Sequence, residues 1–176
     1  PKSEFLSMRS KETIFDAALL RCGRSKAGSE IKLREAMEAN YDEIVRIAFE
    51  DSDGNLPFGR ARKVQTSRQE GFNGFDDSYV MDVSAIQIVE VYLDGYSASD
   101  LLLNWEFDGA TNSVLADVGT RKIEVEYVAV GLEHTWSGNF SKGIQRRLEA
   151  VIKDFLEEPE EASLKERDAD FLFLKA

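Results

Sequence analysis

Leu56-Pro57-Phe58-Gly59-Arg60-Ala61-Arg62-Lys63 is the stretch on which the fold turns. Upstream of it apolar residues recur roughly every 3.6 positions, and downstream they recur every second position. Pro57 fixes its own φ, has no N–H to donate and pushes Leu56 toward extended geometry, so a helix arriving from the N-terminal side must stop here. Gly54, just before it, is placed to cap that helix. The segment reads as a hinge between a helical part and a β part, and helical spacing returns only after Val130.

Back toward the N-terminus, Ser29 is placed to cap a helix whose apolar face is Leu33, Met37, Tyr41, Ile44 and Ala48. Glu30–Arg34 and Asp42–Arg46 lie at i,i+4 on its wet side. Before it, across the polar connection Arg24 to Gly28, Ser10 caps a first helix in which Ile14, Phe15, Ala18, Leu19 and Cys22 recur until Gly23. So short a connection predicts an antiparallel pair that still needs a third partner for its apolar stripes. Residues 1–9, polar around Phe5-Leu6, read as an arm. Cys22 reads as a small core residue. Asp51-Ser52-Asp53-Gly54-Asn55 resembles the opening of a calcium loop, but its glycine comes too early and Arg62 stands where the bidentate glutamate belongs, so it reads as a polar turn.

Downstream, Arg60, Arg62, Lys63 and Arg68 form a basic island with no acid between them. Two readings stay open: a solvated edge strand guarded by charge, or a docking strip for an acidic partner. Gly71-Phe72-Asn73-Gly74-Phe75-Asp76-Asp77 follows as a glycine-punctuated loop whose Phe72 and Phe75 either anchor a partner or fold back on the core. Asp76 and Asp77 do not read as a catalytic pair, because adjacent acids in a loop point apart. Ile86 to Leu93 is β-rich, apolar on both faces, and predicts an interior strand. Leu101, Leu103, Trp105 and Phe107 alternate with polar neighbours up to Asp108-Gly109, Val114 to Ala116 is a short return, and Ile123, Val125 and Tyr127 alternate again. These three strands predict an antiparallel meander whose apolar face packs on the helices.

Past Gly131, His134 and Trp136 precede a third helix with the stripe Phe140, Ile144, Leu148, Val151 or Ile152, and Phe155. The lone histidine reads as structural or exposed. Pro159 suits the first turn of a fourth helix, with Glu158, Glu160 and Glu161 favoured at its positive end. Phe171-Leu172-Phe173-Leu174 is apolar on all sides and must be covered by the chain's own core or by a neighbouring subunit. The expected fold class is α+β: an antiparallel helical bundle from residues 1–59 and 131–176 with an inserted antiparallel β-meander over residues 60–130, as one folding unit.

Composition narrows the function. Hydrophobic residues are 43% and charged residues 31% of the 176, ordinary for a folded soluble domain. No apolar run approaches the roughly 18 residues of a membrane span, and Pro1 to Phe5 holds no signal-peptide core, so synthesis in the cytoplasm is expected. One cysteine and one histidine exclude a disulfide framework or a Cys/His zinc site within one chain. A net charge of −11 argues against generic affinity for nucleic acid. No nucleophile, base and metal set assembles, so neither an enzyme nor a cofactor is expected.

In this order the pieces resemble the head-to-tail adaptors of tailed bacteriophages, especially the tail tubular protein A, or gatekeeper, type of short-tailed phages. The family's first helix ends Ala-Leu-x-x-x-Gly, matched by Ala18-Leu19-Leu20-Arg21-Cys22-Gly23; its second carries Tyr-Asp, matched by Tyr41-Asp42, and runs into a hinge matched by Leu56 to Arg62. Its hairpin is matched by Trp105-Glu106-Phe107-Asp108-Gly109, its next strand by Ile123-Glu124-Val125-Glu126-Tyr127, and its acid- and alanine-rich last helix by Ala169-Asp170. The hinge lacks the family's tryptophan, and its Leu-Pro-x-Asp appears as Val80-Met81-Asp82-Val83.

The resemblance implies a structural virion protein at the head-tail junction. It implies a ring, usually twelve-fold, that docks beneath the portal protein, offers a platform to the tail nozzle or tail tube protein, and lets DNA pass without binding it specifically. In that setting Arg60, Arg62, Lys63, Arg68, Phe72 and Phe75 are the candidate partner interface. Phe171, Leu172, Phe173 and Leu174 are the candidate subunit interface. An adaptor of a long-tailed phage or gene-transfer particle is the near alternative, and a small hydrolase using acidic residues is the rival from another class.

Overall fold

The computed structural model of the protein describes residues 10–26, 30–52, 56–119 and 121–176. The arm at 1–9, the caps expected at Ser29 and Gly54, and the Asp53-Gly54-Asn55 part of the calcium-like turn lie outside the described residues. The chain forms two compact units, Pro1–Ser52 with Gly131–Ala176, and Asp53–Val130.

The first unit is helical. Ser10 caps α1 (Lys11–Arg21) in a reciprocal box: its side chain accepts from the Thr13 N–H, and the Thr13 hydroxyl accepts from the Ser10 N–H at 2.9 Å. α1 buries Ile14, Phe15, Ala18 and Leu19. α2 (Ile31–Glu50) buries Leu33, Met37, Tyr41, Val45, Ala48 and Phe49. Ile44, expected on that face, is only half-buried, because a step of four from Tyr41 carries the stripe to Val45 and on to Phe49. The expected pairs within α2 also form elsewhere: Arg34 reaches Glu12 on α1, and Arg46 takes Glu50 at 2.8 Å.

Ser137 caps α3 (Gly138–Phe155), accepting from the Phe140 N–H at 3.1 Å. α3 buries Phe140, Ile144, Leu148 and Ile152, while Phe155 at its end is exposed. α4 (Pro159–Phe173) starts with Pro159 and has Glu160 and Glu161 in its first turn. α1, α2 and α4 each pack on α3. Trp136, following the 3-10 turn Glu133–Thr135, is fully buried, donates its Nε1–H to the Gly131 carbonyl at 2.8 Å and meets Phe49 and Phe140 edge-on at 6.3 and 5.1 Å.

The second unit holds eight strands among the described residues: β1 (Arg60–Gln65), β2 (Arg68–Glu70), β3 (Asp77–Val80), β4 (Gln87–Leu93), β5 (Tyr96–Ser97), β6 (Trp105–Asp108), β7 (Ser113–Ala116) and β8 (Ile123–Val128). They make two four-stranded antiparallel sheets, β1-β8-β4-β5 and β2-β3-β7-β6. This corrects the expected architecture: the class is α+β, but the helical bundle with a single inserted meander is not what forms. β6 and β7 do pair, with Phe107 opposite Val114, yet β8 leaves them to lie between β1 and β4, with Val125 opposite both Lys63 and Val91. The physical reason is the core. Ile123, Val125 and Tyr127 of β8 share one apolar cluster with Ile88 and Val91 of β4 and with Tyr79, Val114 and Ala116 of the other sheet. The apolar faces of the two sheets thus cover each other, where the helices had been expected to cover a single one.

Two strand boundaries also move. Leu101 and Leu102, expected to lead β6, sit in a turn where Leu102 has φ of 55° and is 90% exposed. The loop expected at 71–77 is the tip of a hairpin between β2 and β3. Asn73 and Gly74 take φ of 55° and 90°, and the Phe75 N–H donates to the Phe72 carbonyl at 3.1 Å, as a two-residue Asn-Gly hairpin turn requires. At Gly71 the backbone approaches itself, since a Cβ there would lie 2.1 Å from the Phe75 carbonyl oxygen and 2.6 Å from the Asp76 carbonyl carbon. Gly71→Ala must therefore displace backbone. It is expected to destabilise by about 1–3 kcal/mol, read as a lowered urea midpoint, while Asn73→Gly stays within about 0.5 kcal/mol.

Candidate functional site

The basic island is divided between the two sheets. In β1 the side chains alternate, so Arg60 and Arg62 fall on the face shared with Glu124 and Glu126 of β8, while Lys63 falls on the opposite one. Arg68 stands in β2 of the other sheet. Each cation meets a carboxylate of its own unit: Arg60 binds Glu126 at 2.5 Å, Arg62 binds Glu124 at 2.8 Å, Lys63 binds Asp82 and Arg68 binds Asp77. Arg62 also stacks 3.5 Å from the centre of the Tyr92 ring, whose hydroxyl donates to Glu126 at 3.0 Å. Hydrogen bonds from Arg60, then from Tyr92, hold the Glu126 carboxyl below the usual carboxylate range. The Asp82 contact pushes the Lys63 ammonium up.

Arg60, Arg62 and Lys63 therefore form matched charge pairs on the edge strand β1, and Arg68 does so on β2 at the edge of the other sheet. Arg62→Glu should set a third carboxylate beside those of Glu126, directly opposite, and Glu124, and lose the stacking on Tyr92. We expect a lowered urea midpoint, recovered in part by the exchange Arg62→Glu with Glu124→Arg.

Arg68–Asp77 differs from the other pairs. Asp77 is fully buried, and besides Arg68 its carboxylate accepts from the N–H groups of Val118 and Gly119 at 3.1 and 2.8 Å. This ties β2, β3 and the exit from β7 together, so Asp77 is a structural anchor. Its neighbour Asp76 donates its backbone N–H to the Asp117 carboxylate at 2.7 Å. Phe72 and Phe75 flank the hairpin turn, Phe72 exposed and Phe75 half-buried.

The terminal apolar run splits. Phe173 turns inward, its ring centre 5.5 Å from that of Phe140. Leu172 is half-buried, whereas Phe171 and Leu174 are 57% and 87% exposed. Lys175 places its ammonium 3.8 Å from the Phe171 ring centre.

One polar cluster had no counterpart in the sequence reading. Glu149 of α3 is fully buried, and its carboxylate accepts from Gln145 at 2.8 Å, Arg146 at 2.6 Å and Lys165 of α4 at 3.0 Å. Gln145 and Arg146 at i−4 and i−3 were the available signal. The Cys22 thiol lies 3.9 Å from the Glu149 carbonyl oxygen, and burial, then the Glu149 charge, push its pKa up, so it is a poor nucleophile. Among the described residues no group of three His, Cys, Asp or Glu side chains is placed to hold a metal ion, and no helix is long and apolar enough to cross a membrane. The sequence matches no protein-family model and no curated protein.

Proposed function

We propose that this chain is a structural adaptor of a tailed bacteriophage, a ring subunit between the portal protein and the tail nozzle around the DNA exit channel. The observation that carries the reading is the end of α4. Phe171 and Leu174 stand in the open at the end of a helix whose Phe173 is already anchored in the chain's own core. An apolar surface held out on a fixed helix suits burial against a neighbouring copy, and a ring is the closed form of such a head-to-tail contact. The order of helices, β region and helices, with the motifs from Ala18-Leu19 to Ala169-Asp170, supports the same reading.

The test is to quantify the protein by mass spectrometry in purified phage particles against their portal protein. About one copy per portal subunit is the expected result. Absence from particles would remove the adaptor reading.

A further inference from the structure

We infer that the groove between α1, α3 and the end of α4 is a docking site for a short acidic segment of a partner protein that carries an aliphatic anchor. This inference stands independently of the adaptor reading. The groove, half open to solvent, has a volume of about 620 Å³, with Ala17, Leu20 and Leu172 as apolar wall, Arg21, Lys142 and Arg146 as its cations and Gln145 between them. Leu20 is 56% exposed while its neighbour Leu19 is fully buried, so α1 gives one leucine to its core and offers the next to the groove.

The charge placement is what singles out the site. From Gly138 to Leu148 α3 carries Lys142, Arg146 and Arg147 and no acid, in a chain of net charge −11; Arg146 is paired with Glu149 and Arg147 with Asp170, which leaves Lys142. α3 has no acid in its first turn to answer the positive end of its dipole. Arg21 lies in the last turn of α1 and Lys142 in the second turn of α3. Both are exposed, and among the described residues neither forms an ion pair, in contrast to Arg60, Arg62, Lys63 and Arg68. Arg146 is fixed beside them by Glu149 at 2.6 Å.

Two exposed cations without ion pairs among the described residues, Arg21 and Lys142, beside exposed Leu20 and half-buried Leu172, match carboxylates flanking an aliphatic side chain. A nucleic-acid backbone would leave Leu20 and Leu172 unused and would meet an acidic molecule as a whole.

Selection of a random peptide display library on the immobilised full chain tests this. Enriched peptides are expected to combine Asp or Glu with Leu, Ile or Val. A fluorescein-labelled copy of the strongest should bind saturably and lose at least about tenfold in affinity to the R21E/K142E variant, and about fivefold to Leu20→Ser. Both variants change exposed positions, and retention of the parent's helical circular dichroism checks that they fold.

Enriched peptides without acids, no enrichment over a blank surface, or undiminished binding to R21E/K142E would overturn the proposal. So would a single-stranded DNA oligonucleotide that binds more tightly through the same two residues. Self-association of the chain that R21E/K142E abolishes would assign the groove to a second copy instead.

Discussion

Ending the chain after Asp170 lowers the thermal midpoint of the single chain, before any assembly is in question. The cause is Phe173. Its ring occupies the hollow that Gly143 leaves in α3, where a Cβ would lie 2.4 Å from the ring edge, and it completes the aromatic cluster through Phe140. The end of α4 is also tied back to the start of α3, where the Asn139 side-chain amide donates to the Lys175 carbonyl at 2.9 Å. Deleting a fully buried phenylalanine costs about 3–5 kcal/mol, and for half-buried Phe173 we expect about 2–3 from Phe173→Ala alone.

At roughly 2–4 °C per kcal/mol for a chain of this size, that is a shift of about 4–12 °C, followed by helical circular dichroism. Phe171→Ala and Leu174→Ala, on exposed positions, should each stay within about 0.5 kcal/mol. If the truncated chain melts with the full-length one, Phe173 does not belong to this core. Sedimentation of the full chain against the Phe171→Ser, Leu174→Ser double variant then reads self-association without disturbing the fold.

Replacing Arg146 and Lys165 together by methionine should destabilise the helical unit by about 3–5 kcal/mol, because it strands a carboxylate that has no exposure to water. Gln145 alone then remains to it, at 2.8 Å. Adding Glu149→Leu to the pair should return most of the loss, since a buried ion cluster exchanged whole for apolar side chains of similar volume is near neutral or stabilising. Urea midpoints of the double and triple variants decide between two accounts. Recovery in the triple variant means that desolvation of Glu149 dominates, and no recovery means that the α3–α4 geometry depends on the polar contacts themselves.

The helices were readable from local chemistry. The Ser10 cap, the Phe140-Ile144-Leu148 stripe and Pro159 in the first turn of α4 stand where the residues placed them. Each rests on interactions a few positions long. The reading slipped where one position on a helix face was exchanged for its neighbour, as with Ile44 and Val45, because both lie within the breadth of an apolar stripe.

The candidate site was legible only as composition. That Arg60, Arg62, Lys63 and Arg68 cluster is plain in the sequence, but that each is answered by Glu126, Glu124, Asp82 or Asp77 is not. Arg60 and Glu126 are 66 positions apart and meet only because β1 pairs with β8. The β2–β3 hairpin carries a local signal, Asn73-Gly74, but its strands are short and β2 is polar throughout, so no alternating apolar pattern flanks the turn.

The sequence by itself determined the starts of α1 and α4, the apolar character of alternating residues in β6 and β8, and the acidic balance of the chain. Caps, proline and side-chain periodicity act through neighbours along the backbone. The tertiary structure alone decided that β8 lies between β1 and β4, that Phe173 faces inward while Phe171 and Leu174 face out, and that Glu149 is buried among Gln145, Arg146 and Lys165. Period-two patterning tells which face of a strand is buried but not which strand lies beside it, because that choice is made by burial of area between segments far apart in the chain.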